Sequence, residues 1–357
     1  MAGYQTTQAV GAADLAVFDA IIDVRSPSEF ALDHVPGAEN LPVLDDAQRA
    51  EVGTIYVQES RFLARRIGAA HVARNIARHL ETALADRPAS FRPLIYCWRG
   101  GQRSDAMATI LSQVGWPVTL LQGGYRTYRR HVTARLYDED QPLRLMLLDG
   151  HTGSAKTEIL NALPALGVQV LDLEGLAEHR GSLFGAMAGR PQPSQKMFES
   201  RLLGALHALG LNRPIVVEAE ASKIGDRMTP PVLWRAMQAA PRIVLEASQE
   251  HRAAYLASAY CDIAADPAAL EAAFARLPIA PSRERLETWR GLIAAGDFAA
   301  LAHALIGLHY DPAYDRAARK ADAPVAARLA LDPRDAGSRA LTAERIKTLV
   351  SDAFGGV

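Results

Sequence analysis

Cysteine is nearly absent from this chain: 357 residues hold two, Cys97 and Cys261. That is too few for a disulfide framework or a thiolate zinc site, and it fits a reducing compartment. No apolar run approaches the length of a membrane span, and the opening MAGYQTTQAVGAADL carries no basic stretch followed by an apolar core. These absences predict a cytoplasmic protein. There is no excess of charge of either sign, with a formal net charge of −1, so a nucleic-acid partner would have to be met by locally clustered arginines. What is present is an ordinary globular composition, 49% hydrophobic and 22% charged, in a chain long enough for two domains with their own cores.

The stretch LIYCWRGGQRS, Leu94 to Ser104, organises the first half. Leu94-Ile95-Tyr96 reads as the end of a buried strand. Cys97 follows, then Trp98, Arg99, the turn-forming Gly100-Gly101 pair, and Arg103, with Ser104 placed to cap a helix from Asp105. A cysteine between a strand end and a helix N-terminus meets converging backbone N–H groups and the positive end of the helix dipole. Arg99 and Arg103 add fixed charge suited to a phosphorus oxyanion. The pattern predicts a nucleophilic sulfur acting on, or carrying, something anionic. A packed core cysteine is the alternative, and the glycine pair and two arginines argue against it.

Around this stretch, Ala20–Arg25 and Pro117–Leu121 read as strands and Gly68–Ala85 as a helix. Strand–helix alternation implies a parallel sheet with its site at the strand C-termini. IIDVRSPSEFALDHVPGAENLP and the cysteine loop followed by LLQGGYRTYRR closely resemble a rhodanese domain. That resemblance implies that Cys97 carries a sulfur as a persulfide and that Asp23, Arg25 and Glu29 tie loops together. It also marks a departure. Cys97 to Arg103 is a Cys-x5-Arg loop, one residue longer than in ordinary sulfur-transferring rhodaneses and similar to that of the related cell-cycle phosphatases. A wider cradle favours a phosphorus-centred oxyanion.

After the polar linker Asp138–Pro142, Leu143–Leu148 reads as a strand running into DGHTGSAKT, Asp149 to Thr157. The spacing of Gly150, Thr152, Gly153, Ser154, Lys156 and Thr157 between strand and helix is that of a P-loop, whose amides and lysine hold phosphates. Thr157 could meet Mg²⁺. Ala155 stands before the lysine where glycine is usual. A left-handed backbone there would strain it by about 1 kcal/mol. Val168–Glu174 and Pro214–Glu220 read as strands ending in acids, so Glu218 and Glu220 could assist a metal or act as a base, or could be capping carboxylates. His179–Ser182 and Pro191–Lys196 are polar, loop-like stretches of the kind that carry binding groups. Beyond Pro281 the sequence is Ala/Leu-rich and reads as helical, with no evident chemistry. The predicted architecture is α/β: a rhodanese-like parallel-sheet domain over 1–137, a linker at 138–142, a P-loop NTPase-like α/β domain over 143–280 and a helical region over 281–357.

Four blocks in order, YCWRGGQRS, VLDLEGLAEHRGSLFG, PQPSQKMFES and VEAEASKIG, resemble the tRNA 2-selenouridine synthase family between about Asp23 and Gly225. The resemblance implies a transferase acting on the wobble uridine, already thiolated at C2, of tRNAs for Lys, Glu and Gln. The sulfur is alkylated by geranyl diphosphate, and selenium from selenophosphate then replaces the geranyl-thio group. On that pattern the P-loop binds the diphosphate, Arg99, Arg103 and the loop amides bind selenophosphate, and Cys97 receives or directs selenium. No cofactor is required, and Mg²⁺ is the candidate metal. For tRNA, Arg61, Arg65, Arg66 and Arg74, with Arg126, Arg129 and Arg130 beside Tyr125 and Tyr128, supply local charge and aromatic faces. A Cys-x5-Arg phosphatase, or a sulfurtransferase fused to a P-loop kinase or ATPase, is the alternative.

Overall fold

A computed structural model describes residues 3–139, 142–181, 185, 189–259, 270–271, 274–275, 277, 281–318 and 323–355. Ser182 and Cys261 lie outside the described residues. The chain forms two compact units: residues 1–139 with 194–204, and residues 140–193 with 205–357.

The first unit is built on five parallel strands, β1 (Gln5–Thr7), β2 (Ala20–Asp23), β3 (Glu39–Asn40), β4 (Pro93–Tyr96) and β5 (Thr119–Leu121), in the order β1-β5-β4-β2-β3. Every residue of β4 is buried, the signature of a strand covered on both faces. Ile22, Ile95, Met107, Leu111, Trp116 and Leu120 share its core. Ile22 pairs with Ile95 and Asp23 with Tyr96, so the C-terminal ends of β2 and β4 deliver Arg25 and Cys97 to one edge.

Two helices depart from the expected boundaries. The helix Arg61–Glu81 starts seven residues before Gly68 because the Ser60 hydroxyl caps it, accepting from the Leu63 N–H at 3.3 Å. The helix Gln102–Val114 is capped by Gly101 and begins before Asp105. Ser104 is therefore not its cap; it lies inside the first turn, fully buried.

The second unit has a five-stranded parallel sheet ordered β12-β11-β6-β8-β7, with β6 Leu145–Gly150, β7 Gln169–Leu171, β8 Ile215–Glu218, β11 Arg242–Glu246 and β12 Val325–Ala330; β9 (Lys223–Ile224) and β10 (Arg227–Met228) form a separate antiparallel pair. Strand β12 falls in the region expected to be helical. Its sequence VAARLA favours a helix by local preference, and pairing along β11 overrides that preference. The C-terminal helix Ala336–Phe354 also belongs to this unit, sharing Ile346 and Val350 with a core of Met146, Leu148, Ile159 and Ile243. Among the described residues no helix is long and apolar enough to cross a membrane.

Candidate functional site

Each unit carries one of the two loops at the C-terminal end of a central strand. In the first, Cys97 leaves β4 with its side chain 4% exposed. Its Sγ accepts from the Gly101 N–H at 3.3 Å and from the Ser104 hydroxyl at 3.1 Å. Ser104 also lies 3.0 Å from the Gly101 carbonyl, so its single proton serves the sulfur or that oxygen. In the thiol form the S–H faces the Gly101 carbonyl at 3.9 Å. The Gly101 N–H and the Ser104 hydroxyl thus hold the sulfur in one place at the mouth of the loop.

The loop is shaped by the turn that follows β5. Gly100 (φ +65°) and Gly124 (φ +58°) press backbone against backbone, and a Cβ on Gly124 would fall 2.2 Å from the Cys97 carbonyl oxygen. That carbonyl accepts the Tyr125 N–H at 2.8 Å, and the Trp98 carbonyl accepts the Arg126 N–H at 3.3 Å. Trp98 stacks on Tyr125 with ring centroids 5.1 Å apart. The Arg25 guanidinium lies 4.1 Å from the Tyr125 ring centre and is held by Asp23 at 2.5 Å, a buried pair that ties these loops together.

The two loop arginines differ. Arg99 is exposed and makes no ion pair among the described residues. Arg103 donates to both oxygens of Glu29, at 2.8 and 3.4 Å. Burial works against the Glu29 charge, but the Arg103 bonds, the Ser26 N–H and the Arg49 charge outweigh it and hold that carboxyl below its usual range. Glu29 is the residue that anchors Arg103, beyond the loop-tying role the resemblance implied.

Arg61, Arg65, Arg66 and Arg74, on the helix Arg61–Glu81, are exposed, as are Arg126 and Arg130 on the helix Tyr125–Thr133. Arg129 is placed differently. It forms an ion pair with Glu199, donates to the Lys196 carbonyl at 3.3 Å and lies 3.9 Å from Asp33, leaving 19% of its side chain exposed. A buried acid on each side explains the inward turn, and Arg129 is not part of the exposed basic surface.

In the second unit the P-loop lies between β6 and the helix Lys156–Ala162. Gly150 and Gly153 hold positive φ, and a Cβ on Gly153 would approach the Arg252 carbonyl to 2.9 Å and Leu256 to 3.0 Å. Ala155 sits at φ 56°, ψ 35°, buried in the left-handed conformation that its Cβ disfavours. The Lys156 ammonium donates to the Gly150 carbonyl at 2.7 Å. The Thr157 hydroxyl donates to Glu174 at 3.3 Å.

The carboxylates divide. Glu218 accepts the Leu173 N–H at 3.1 Å and is 1% exposed. Burial, with the charges of Asp172 and Glu174, pushes its carboxyl well above the usual range. Glu220, Glu174 and Asp172 instead line a cavity of about 960 Å³ together with Thr152, Ser154, Lys156 and Thr157. Burial first and the Glu220 charge second raise Glu174 to about 8, against the pull of Lys156. A Mg²⁺ ion beside bound phosphates takes only one or two protein ligands, and Thr157 with Glu174 are the residues that would provide them.

A helix from the region without evident chemistry braces this loop. Tyr314, on the helix Asp311–Ala318, donates to Asp149 at 2.9 Å, and Asp149 accepts the Gly150 N–H at 2.8 Å. Arg242 faces the same carboxylate at 3.3 Å. Asp311 holds Arg252 through two bonds of 2.9 and 2.7 Å, and Arg252 donates to the Thr152 carbonyl at 3.2 Å. Asp315 lies 3.4 Å from His151. Sequence reasoning missed Asp149, Arg242, Arg252, Asp311 and Tyr314; only the placement of Asp149 just before Gly150 offered a local signal.

Residues 7–131 match a model of the rhodanese-like domain, and residues 143–275 match a model described as the tRNA 2-selenouridine synthase AAA domain. The tRNA 2-selenouridine synthase of Shewanella denitrificans is 35% identical over 248 residues, covering 68% of this chain and 65% of that protein. The protein of the same description from Marinobacter nauticus is 36% identical over 250 residues (68% and 65%), and that from Cupriavidus necator 39% identical over 240 (65% and 63%). The matched stretch thus spans just under two thirds of the length of these relatives.

Proposed function

We propose that this protein, whose residues 7–131 match the rhodanese-like domain and 143–275 the tRNA 2-selenouridine synthase AAA domain, is a tRNA-modifying transferase that installs selenium at the wobble 2-thiouridine. The chemistry divides between the two loops. The P-loop binds the diphosphate of geranyl diphosphate. The allylic C–O bond breaks, the C2 sulfur of the uridine takes the geranyl carbon, and diphosphate leaves. Lys156 and the loop amides neutralise the charge that grows on the departing diphosphate, the term that allylic ionisation needs most. In the second step the selenium of selenophosphate adds to C2, geranyl thiol leaves and hydrolysis of the P–Se bond releases phosphate, with Cys97 directing the selenium and Arg99 drawing the anion to the loop.

The observation that carries this reading is the Cys97 sulfur with two donors aimed at it, in a chain whose other loop is a P-loop. The phosphatase alternative calls for a loop arginine over the cysteine, and here Arg103 is bonded to Glu29. The test is reconstitution: thiolated tRNA, geranyl diphosphate and selenophosphate are incubated with the full chain and the nucleosides analysed by mass spectrometry. The expected products are S-geranyl-thiouridine without selenophosphate and 2-selenouridine with it, with Lys156→Ala weakening the first step. Nucleotide or phosphomonoester hydrolysis with no change in tRNA would overturn the assignment.

A further inference from the structure

The cavity at the P-loop is two-sided in composition. Its charged lining includes Lys156, Asp172, Glu174 and Glu220 at the loop and the strand ends, with Arg180 and Arg242 also on the wall. Much of its apolar lining comes from two helices, with Tyr310 and Ala313 also on the wall. Trp234 and Met237 stand three residues apart on Pro231–Ala239, hence on one face, and Tyr255 and Leu256 are adjacent on Gln249–Ala259. Leu256 packs where a Cβ on Gly153 would meet it at 3.0 Å, so this wall adjoins the loop itself. Gln238 is the polar side chain that Pro231–Ala239 adds to the lining. Indole, thioether, phenol ring and isobutyl groups offer adaptable apolar area.

We infer that Trp234, Met237, Tyr255 and Leu256 form the subsite for a hydrocarbon chain carried on the diphosphate, and that Trp234 with Tyr255 sets the chain length accepted. This rests on the reading of the P-loop as a prenyl diphosphate site and deepens it. The site takes an amphiphile, its diphosphate on Lys156 and its chain on the two helices. Selection among diphosphates then comes from the chain and not from the phosphates that all of them share.

The full chain is assayed with thiolated tRNA and dimethylallyl, geranyl or farnesyl diphosphate, and inorganic pyrophosphate is titrated as a competitive inhibitor. In the unaltered protein geranyl diphosphate should bind ~10-fold or more tightly than pyrophosphate, as burial of a short apolar chain implies. Trp234→Ala should raise KM for geranyl diphosphate about tenfold and shift preference toward farnesyl, with inhibition by pyrophosphate unchanged, which also shows that the P-loop is folded. Tyr255→Leu provides a second variant with little loss of volume and should shift the same preference. Unchanged chain-length preference in both variants, with transfer intact, overturns the subsite and leaves the prenyl reading standing. No transfer by the unaltered protein, with ATP bound more tightly than geranyl diphosphate, overturns both.

Discussion

The Tyr314 hydroxyl donates to the Asp149 carboxylate at 2.9 Å across 165 residues of sequence. Asp149 in turn accepts the first amide of the P-loop, Gly150 N–H, at 2.8 Å. The C-terminal part of the chain thereby orients the loop proposed to hold phosphate, although it supplies none of the loop's own residues.

Tyr314→Phe removes that hydroxyl and keeps the ring against His151. Loss of one hydrogen bond is worth about 0.5–1.5 kcal/mol. Binding of pyrophosphate, followed by titration calorimetry, should weaken by roughly 2- to 10-fold, the same free energy expressed as an equilibrium. Asp311→Asn, which weakens the grip of Arg252 on the Thr152 carbonyl, should act in the same direction.

Ala155 is strained. Its left-handed backbone costs about 1–2 kcal/mol, which glycine would relieve. Glycine also frees the unfolded chain, at a cost of about 0.5–1 kcal/mol. Ala155→Gly should therefore stabilise the protein modestly in urea denaturation, and Ala155→Val should destabilise it, because a β-branched residue resists this conformation more strongly.

Glu174 has a folded-state pKa raised to about 8, from burial first and Glu220 second. The native carboxyl therefore keeps its proton while the unfolded one loses it, so this residue's contribution to stability declines as pH rises from the ordinary carboxylate range and levels off above about 8. The same titration bears on the ligand. Below about 8 the group is neutral, and above it a carboxylate faces the incoming diphosphate. In the absence of Mg²⁺, pyrophosphate affinity should fall through this range relative to that of Glu174→Gln, which lacks the titrating carboxyl. An identical pH profile for the two proteins would refute this.

Ser104→Ala takes one of two donors from the Cys97 sulfur. A sulfur held by one donor instead of two is less firmly positioned, so alkylation of Cys97 by iodoacetamide should slow. Selenium transfer should slow with it, and geranylation should be unaffected.

Most of the fold was legible because buried parallel strands announce themselves: Leu94–Tyr96 and Leu145–Leu148 are apolar runs bounded by glycine-bearing loops. Cys97 and the P-loop were legible because their chemistry is local, set by neighbours within a turn. Arg103 was legible as a charge, but its partner Glu29 lies 74 residues away, and nothing near Arg103 foretells the pairing. Arg129 failed in the same way, since Glu199 comes from a distant helix. Strand β12 was hidden because its alanine-rich sequence prefers a helix and only β11 makes it a strand. The brace around Asp149 was invisible because Tyr314, Arg242 and Arg252 meet only when the sheet is assembled.

The account depends on Cys97 serving the selenium step and on the P-loop serving the step before it. Its most direct test is nucleoside mass spectrometry on thiolated tRNA treated with geranyl diphosphate, selenophosphate and full-length Cys97→Ala protein. The account predicts that S-geranyl-thiouridine accumulates and 2-selenouridine is absent; formation of 2-selenouridine at the unaltered rate would contradict it.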